Sequence, residues 1–442
     1  MSRLLIKPLY APACEGIRAF MSTMHRGDQS LVLQVVGDST GDEADEWPYL
    51  LGSYLAAQFP GWAVVYHLWS DGAQDYTAPV VISSGAAGER TIDYAGGGQK
   101  ARYLDPTLLG EVTGDLDVRC DVLLDDWTPA STTSLMGRWG SSTSKSWRFR
   151  VTTSGALSLE YTADGSSIVT ATSSAATGFT DGQRYRVRAT LDIDNGASGK
   201  DVKFWTQAIG ASSWTQLGST QTSAGTIAAL NAPVGINYEL GGTQSATSVI
   251  SGRIYGASIR QGIDGARISP VLLEGWANED VVSPTAGSPT LHIYNGSAAG
   301  KDFAYFNDST RFPKVAVPGN HPVLLLNLGH NQGQLGSAMT ALVDTFKGLV
   351  DARLPCTQIV ALTQNPRLSP TVASEQFAHR SDTIARRVAK TGGGVIDTRL
   401  EFWTDGRAMS TLVNVDGIHP SSAGRAVEGA AVQRAFRAHL RG

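Results

Sequence analysis

The sequence predicts an α/β protein: a parallel sheet with helices on both faces, interrupted by an inserted all-β sandwich. Three observations carry this expectation. Short apolar runs alternate with helix-period segments at both ends of the chain. The middle is rich in Ser, Thr and Gly, with short alternating runs and no long amphipathic pattern. Only one strand–turn–helix precedes the middle, whereas the remaining strands and helices follow it. The expected division is an N-terminal segment 1–29, a first α/β part 30–100, an insert 101–265 and a second α/β part 266–442.

The elements follow in order. The apolar run 31–36 ends in Gly37-Asp38-Ser39-Thr40-Gly41 and reads as a buried strand running into a turn. The acidic stretch 42–46 and the spacing of Leu50, Leu51, Tyr54 and Leu55 predict a helix whose first turn carries the acids, where they complement the helix dipole. A second β-like run, 62–68, follows Pro60-Gly61. In the middle, runs at 116–123, 147–152, 157–161, 185–191, 202–207 and 252–259 are separated by turns such as Ala163-Asp164-Gly165, Asp181-Gly182 and Asp194-Asn195-Gly196. The last stretch supplies buried strands at 291–294, 323–328, 358–362 and 395–397, with helices at about 335–352, 371–391 and 421–440.

Composition narrows the function classes. The chain has 442 residues, 42% apolar and 17% charged, enough for two or three domains with ample cores. With 36 basic and 40 acidic residues its net charge is -4, which argues against a nucleic-acid partner. Cys14, Cys120 and Cys356 are too few and too scattered for a disulfide framework or a thiolate metal site. No stretch approaches the roughly 20 apolar residues of a membrane span. Lys7 and Pro8 interrupt the N-terminal apolar run, so no export signal is expected.

Three segments carry chemistry. Ser39 lies where a buried strand gives way to a helix, at the sheet edge where α/β proteins place ligands. It reads either as an N-cap or as a nucleophile served by backbone N–H groups at the helix start. In Asp416-Gly417-Ile418-His419-Pro420 the acid three residues before the histidine can bind one ring nitrogen while the other faces a serine. Alternatively it is a turn with a surface histidine. Gly329-His330-Asn331 ends the run 323–328; the Asn331 amide can serve an oxyanion or merely end the strand, and His330 is a rival base.

In type and in order these segments resemble the SGNH (GDSL-type) hydrolases. Gly37-Asp38-Ser39 resembles the block that carries the nucleophile, Gly329-His330-Asn331 the third block, and Asp416 with His419 the last. Gln332 stands where the family commonly has Asp. The resemblance spans about residues 30–85 and 285–442. It implies a three-layer, flavodoxin-like fold and a serine esterase with Ser39, Asp416 and His419 as its triad. The oxyanion hole would comprise the Ser39 N–H, a glycine N–H of the second block and the Asn331 amide. That glycine has two candidates, Gly300 and Gly72, of which Gly300 is favoured because its segment leads into the third block. No cofactor or metal is implied.

The middle stretch resembles the concanavalin-like, laminin-G-type jelly rolls through residues 252–262 and Ile263-Asp264-Gly265. This implies a glycan-recognition module, with Trp127, Trp139, Trp147, Trp205 and Trp214 as stacking candidates or core residues. Asp192, Asp194, Asn195 and Asp201 form either a plain turn or a calcium loop. Similar sandwiches are inserted in phage tail proteins, so the resemblance implies a virion setting, other tail proteins as partners, and an acylated glycan or cell-envelope polymer as substrate. The alternative is a virion structural, adhesion or glycan-binding protein whose hydrolase fold does not turn over.

Overall fold

A computed structural model describes residues 14–96, 100–103, 111–211, 213–244, 249–273, 276–279, 287–319, 321–367 and 372–439. The chain forms two compact units, Met1–Gly85 with Pro289–Gly442, and Ala86–Ser288. The expected boundaries near 100 and 265 fall inside the second unit for a reason of pairing. Strand Ile92–Ala95 pairs with Ser251–Gln261, and Lys100–Tyr103 pairs with both Tyr238–Leu240 and Ala277–Glu279. These flanking strands are too short to show an alternating pattern in the sequence.

The first unit is a mixed α/β structure built on parallel strands β1 (Leu31–Gly37), β2 (Ala63–Ser70), β3 (Thr290–Asn295), β4 (Val323–Asn327), β5 (Gln358–Leu362) and β6 (Gly394–Ile396). Their spatial order is β6-β5-β4-β1-β3-β2, and each neighbouring pair is parallel. Two short segments, Asp75–Tyr76 and Val80–Ser84, add antiparallel pairing to β2. Because strand side chains alternate, a strand buried on both faces must be apolar throughout. Leu33, Val35, Leu325 and Val360 join one core with helices α1 (Glu15–Arg26), α2 (Trp47–Gln58) and α5 (Ser422–Arg437). Val36, Leu324, Leu326 and Ala361 join the opposite core with α3 (Gly336–Arg353) and α4 (Val372–Lys390). Strand β1 therefore runs through the middle of the sheet, and its C-terminal end delivers Ser39 to one edge.

One local expectation fails. The acids of 42–46 are not the first turn of α2, which begins at Trp47 with Pro48 in its first turn; Glu46 occupies the cap position without capping by its side chain. Ser39 is accordingly in a turn ahead of the helix, and it is not the N-cap. The helix-start N–H groups are not at Ser39 either.

The second unit has two antiparallel sheets, of seven and eight strands among the described residues. Val118, Val187, Phe204 and Ile259 from one sheet share a single core with Leu135, Phe149, Leu159 and Tyr238 from the other, which makes it a sandwich. Trp127, Trp139 and Trp147 are at most 2% exposed. They are interior residues, and a ring with no exposed face cannot stack on a sugar, which removes them as stacking candidates. Trp205 and Trp214 are partly exposed and lie beside Arg188 and Arg186, at 5.7 and 5.2 Å from guanidinium to ring centroid. The acidic loop reads as a turn: Asp192 accepts the Asp194 N–H at 3.1 Å, and the Asn195 amide donates to Asp201 at 2.9 Å. Among the described residues no group of three His, Cys, Asp or Glu side chains could hold a metal, and no helix is long and apolar enough to cross a membrane.

Candidate active site

The turn that carries Ser39 is held from below by a buried carboxylate. Asp38 accepts the Thr40 N–H at 3.2 Å and the Thr40 hydroxyl at 2.9 Å with one oxygen. Its other oxygen accepts the Gln364 amide at 2.6 Å and the His330 N–H at 3.2 Å. The Asn327 amide donates to the Thr40 hydroxyl at 3.0 Å, and the Asp38 N–H donates to the Asn327 carbonyl at 3.1 Å. The ends of β1, β4 and β5 are thereby tied together under Ser39. Gly329 is required in this arrangement: its φ is 146°, and a Cβ there would meet Gln364 Oε1 at 2.8 Å. Gln364 carries no sequence signal and is visible only once β5 is placed beside β4.

Ser39 and the Asp-x-x-His segment come together across the whole chain. His419 Nε2 is 2.8 Å from Ser39 Oγ, and His419 Nδ1 is 2.6 Å from Asp416 Oδ2. The other Asp416 oxygen accepts the Ile418 N–H at 2.8 Å and the His419 N–H at 3.0 Å. The His419 ring and these backbone donors favour the ionised form and hold the Asp416 carboxyl down at about 2. Asn365 donates to the Ile418 carbonyl at 2.7 Å, so the segment after β5 also positions the His419 loop. His330, the rival base, is buried with its ring 4.3 Å from that of Phe377, and burial pulls its pKa down to about 4.

Gly300 lies in the loop after β3, the strand directly beside β1. The Ala298 N–H donates to the Gly37 carbonyl at 3.1 Å, which ties this loop to the end of β1. Gly300 has φ 70°, a conformation that L side chains avoid. The Asn331 amide donates to the Lys301 carbonyl at 3.2 Å, so one of its two N–H groups is engaged and Asn331 sits against the Gly300 loop. Gly72 follows β2, which pairs with β3 and is one strand further from β1.

A cluster of carboxyls lies between the Ser39 turn and α5. Arg425 binds Glu43 at 2.7 Å and Asp45 through its terminal nitrogens, but its Nε is 3.6 Å from Glu46, beyond hydrogen-bond reach. That attraction does not offset burial, which pushes Glu46 up to about 8. Burial and the neighbouring charges of Glu46 and Asp38 also raise Glu428, and burial raises Asp42. A carboxyl whose folded pKa is raised stabilises fully below its unfolded value, here 4.5, and loses that contribution as pH rises to about 8. Stability is therefore expected to fall across this window. Glu46→Gln should remove part of the fall, on the order of 2–3 kcal/mol. Urea unfolding at pH 5 and pH 8 checks this; an unchanged difference in Glu46→Gln would exclude Glu46 as a source.

No family model and no curated protein matches the chain. Among solved structures it is similar to a peptidoglycan O-acetylesterase, at 10% identity over 97% of this chain and 96% of that one, with a TM-score of 0.36. It is also similar to an acetyl xylan esterase from Geobacillus stearothermophilus, at 14% identity over 33% of this chain and 73% of that one, TM-score 0.28. A third is the Ruminococcus gnavus IT-sialidase CBM40 bound to alpha2,3 sialyllactose, at 14% identity over 40% of this chain and 91% of that one, TM-score 0.29. The distances around Ser39, and not these likenesses, carry the functional reading.

Proposed function

We propose that the protein is a serine ester hydrolase acting on an acylated glycan or cell-envelope polymer. The observation that carries this reading is the continuous relay Ser39–His419–Asp416, with both bonds between 2.6 and 2.8 Å. Ser39 Oγ attacks the ester carbonyl while His419 Nε2 takes its proton, giving a tetrahedral oxyanion. Asp416, ionised, accepts from Nδ1 and stabilises the imidazolium. The Ser39 N–H, the Gly300 N–H and the free N–H of the Asn331 amide hold the oxyanion; one such donor is typically worth about 3 kcal/mol. The C–O bond to the alcohol breaks as His419 returns the proton to it. Water then repeats the sequence, releasing the carboxylic acid and regenerating Ser39. In this reading the second unit recognises the polymer, with Trp205 and Trp214 available to stack on sugar rings.

A fluorophosphonate probe tests the assignment, because it captures only a serine activated by its base. The expected result is one modified peptide containing Ser39, with labelling prevented by His419→Ala. Modification at another serine, or labelling that is indifferent to His419, would overturn the assignment.

A further inference from the structure

Near the Ser39 centre two arginines, Arg367 and Arg380, bind no carboxylate among the described residues. Residues 364–367 follow β5 and are stitched to the site at three points: Gln364 to Asp38, Asn365 to the Ile418 carbonyl, and Arg367 Nη2 to the His330 carbonyl at 2.6 Å. His330 in turn donates its N–H to Asp38, which links Arg367 to the turn that carries Ser39. The Arg367 guanidinium is 5.0 Å from the centroid of the Phe377 ring on α4. Arg380 is one helical turn beyond Phe377. Burial and the like charge of Arg380 draw the Arg367 pKa below its ordinary value, against the opposing pull of the Asp38 charge.

Two other arginines of this region are paired. Arg387 binds Asp344 at 2.6 Å, and Arg399 binds Asp382. Among the described residues Arg367 and Arg380 bind no carboxylate, and the Nε of each is buried without a hydrogen-bond partner. Two adjacent, partly desolvated like charges are costly unless an anion joins them. A guanidinium presents a planar fork that matches the two oxygens of a carboxylate.

We propose that Arg367 and Arg380 form a subsite for a carboxylate carried by the substrate, at the edge of the Ser39 centre. The inference deepens the esterase reading and rests on it for the identity of the reacting group. The carboxylate belongs either to the acyl chain or to the sugar that bears the ester, and matched ester pairs separate the two. For the acyl side, mono-(4-nitrophenyl) succinate is compared with 4-nitrophenyl butyrate. For the sugar side, O-acetylated methyl galacturonate is compared with O-acetylated methyl galactoside.

Arg367→Gln and Arg380→Gln are expected to lower kcat/KM on the charged member of one pair at least tenfold more than on its neutral partner, chiefly through KM. Raising the salt concentration should shrink that difference in the parent protein. Arg380 makes no side-chain hydrogen bond among the described residues, and a melting curve of Arg380→Gln keeps its effect separate from misfolding. A calorimetric titration of the Ser39→Ala protein with succinate and with galacturonate reads the subsite without turnover. Saturable binding of either, lost on adding Arg380→Gln, supports the subsite even if no ester is hydrolysed. Equal losses within both ester pairs, or binding that is absent or indifferent to Arg380→Gln, would overturn it.

Discussion

Ser39→Ala is expected to lower kcat on 4-nitrophenyl acetate by at least about 10⁴-fold, on the order of 5–6 kcal/mol of transition-state stabilisation. The size follows from the role. Without Oγ there is no atom 2.8 Å from His419 Nε2 to become the acyl acceptor, and a water would have to be held there without a covalent intermediate. The residual rate would come from whatever donors still face the carbonyl. The turn itself should survive, because its anchors are Asp38, Thr40, Gln364 and the His330 N–H and not the Ser39 side chain. The thermal midpoint should therefore stay close to that of the parent, and unfolding cannot account for the loss. Steady-state kinetics with a parallel melting curve decides it. Activity that survives in a folded Ser39→Ala protein would place the nucleophile elsewhere and leave the Ser39–His419 bond without a catalytic role.

The sequence exposes the sheet well because each central strand is buried on both faces. The run 323–328 is continuously apolar since Leu324 and Leu326 serve one core while Leu325 serves the other. The signal for α1 lies in the sequence: Ile17, Phe20, Met21 and Met24 follow the i, i+3, i+4, i+7 rule, and Gly27 closes it at φ 61°. Helix α2 starts later than the acids at 42–46 suggest, for a physical reason. Acidic residues favour a helix N-terminus, but here Glu43 and Asp45 bind Arg425 from the preceding turn, and Pro48 stands in the first turn of the helix instead. The sandwich tryptophans were ambiguous because alternation alone does not say which face of a strand is covered; Trp147 proved interior and Trp205 did not. Within the site, Ser39, Asp416 and His419 announce themselves through local spacing and order. Gln364, Asn365, Arg367 and Glu428 do not, since each acts through a partner distant in sequence, and only the parallel register of β4 and β5 brings those partners within reach.

Asp416→Asn is expected to lower kcat by about 10³–10⁴-fold, close to the loss of the base itself. In the parent, Asp416 Oδ2 lies 2.6 Å from His419 Nδ1, which fixes the ring proton on Nδ1 and leaves Nε2 free to accept from Ser39. An asparagine can keep its carbonyl oxygen on the Ile418 and His419 N–H groups, where Asp416 now accepts at 2.8 and 3.0 Å. Its amide then faces Nδ1 as a donor. The ring must carry its proton on Nε2 instead, and in that tautomer it cannot take the proton from Ser39. Stability should change little. The folded Asp416 carboxyl is depressed from 3.8 to about 2, so its contribution is present above 3.8 and is lost only as pH falls from 3.8 toward 2. With the side chain 44% exposed, solvent screens that contribution strongly. At pH 7 the variant should thus melt near the parent while turning over thousands of times more slowly. Kinetics and circular dichroism melting on the same preparation test this. A loss smaller than about tenfold in a folded protein would mean that Asp416 only braces the loop and that His419 acquires its tautomer by another route.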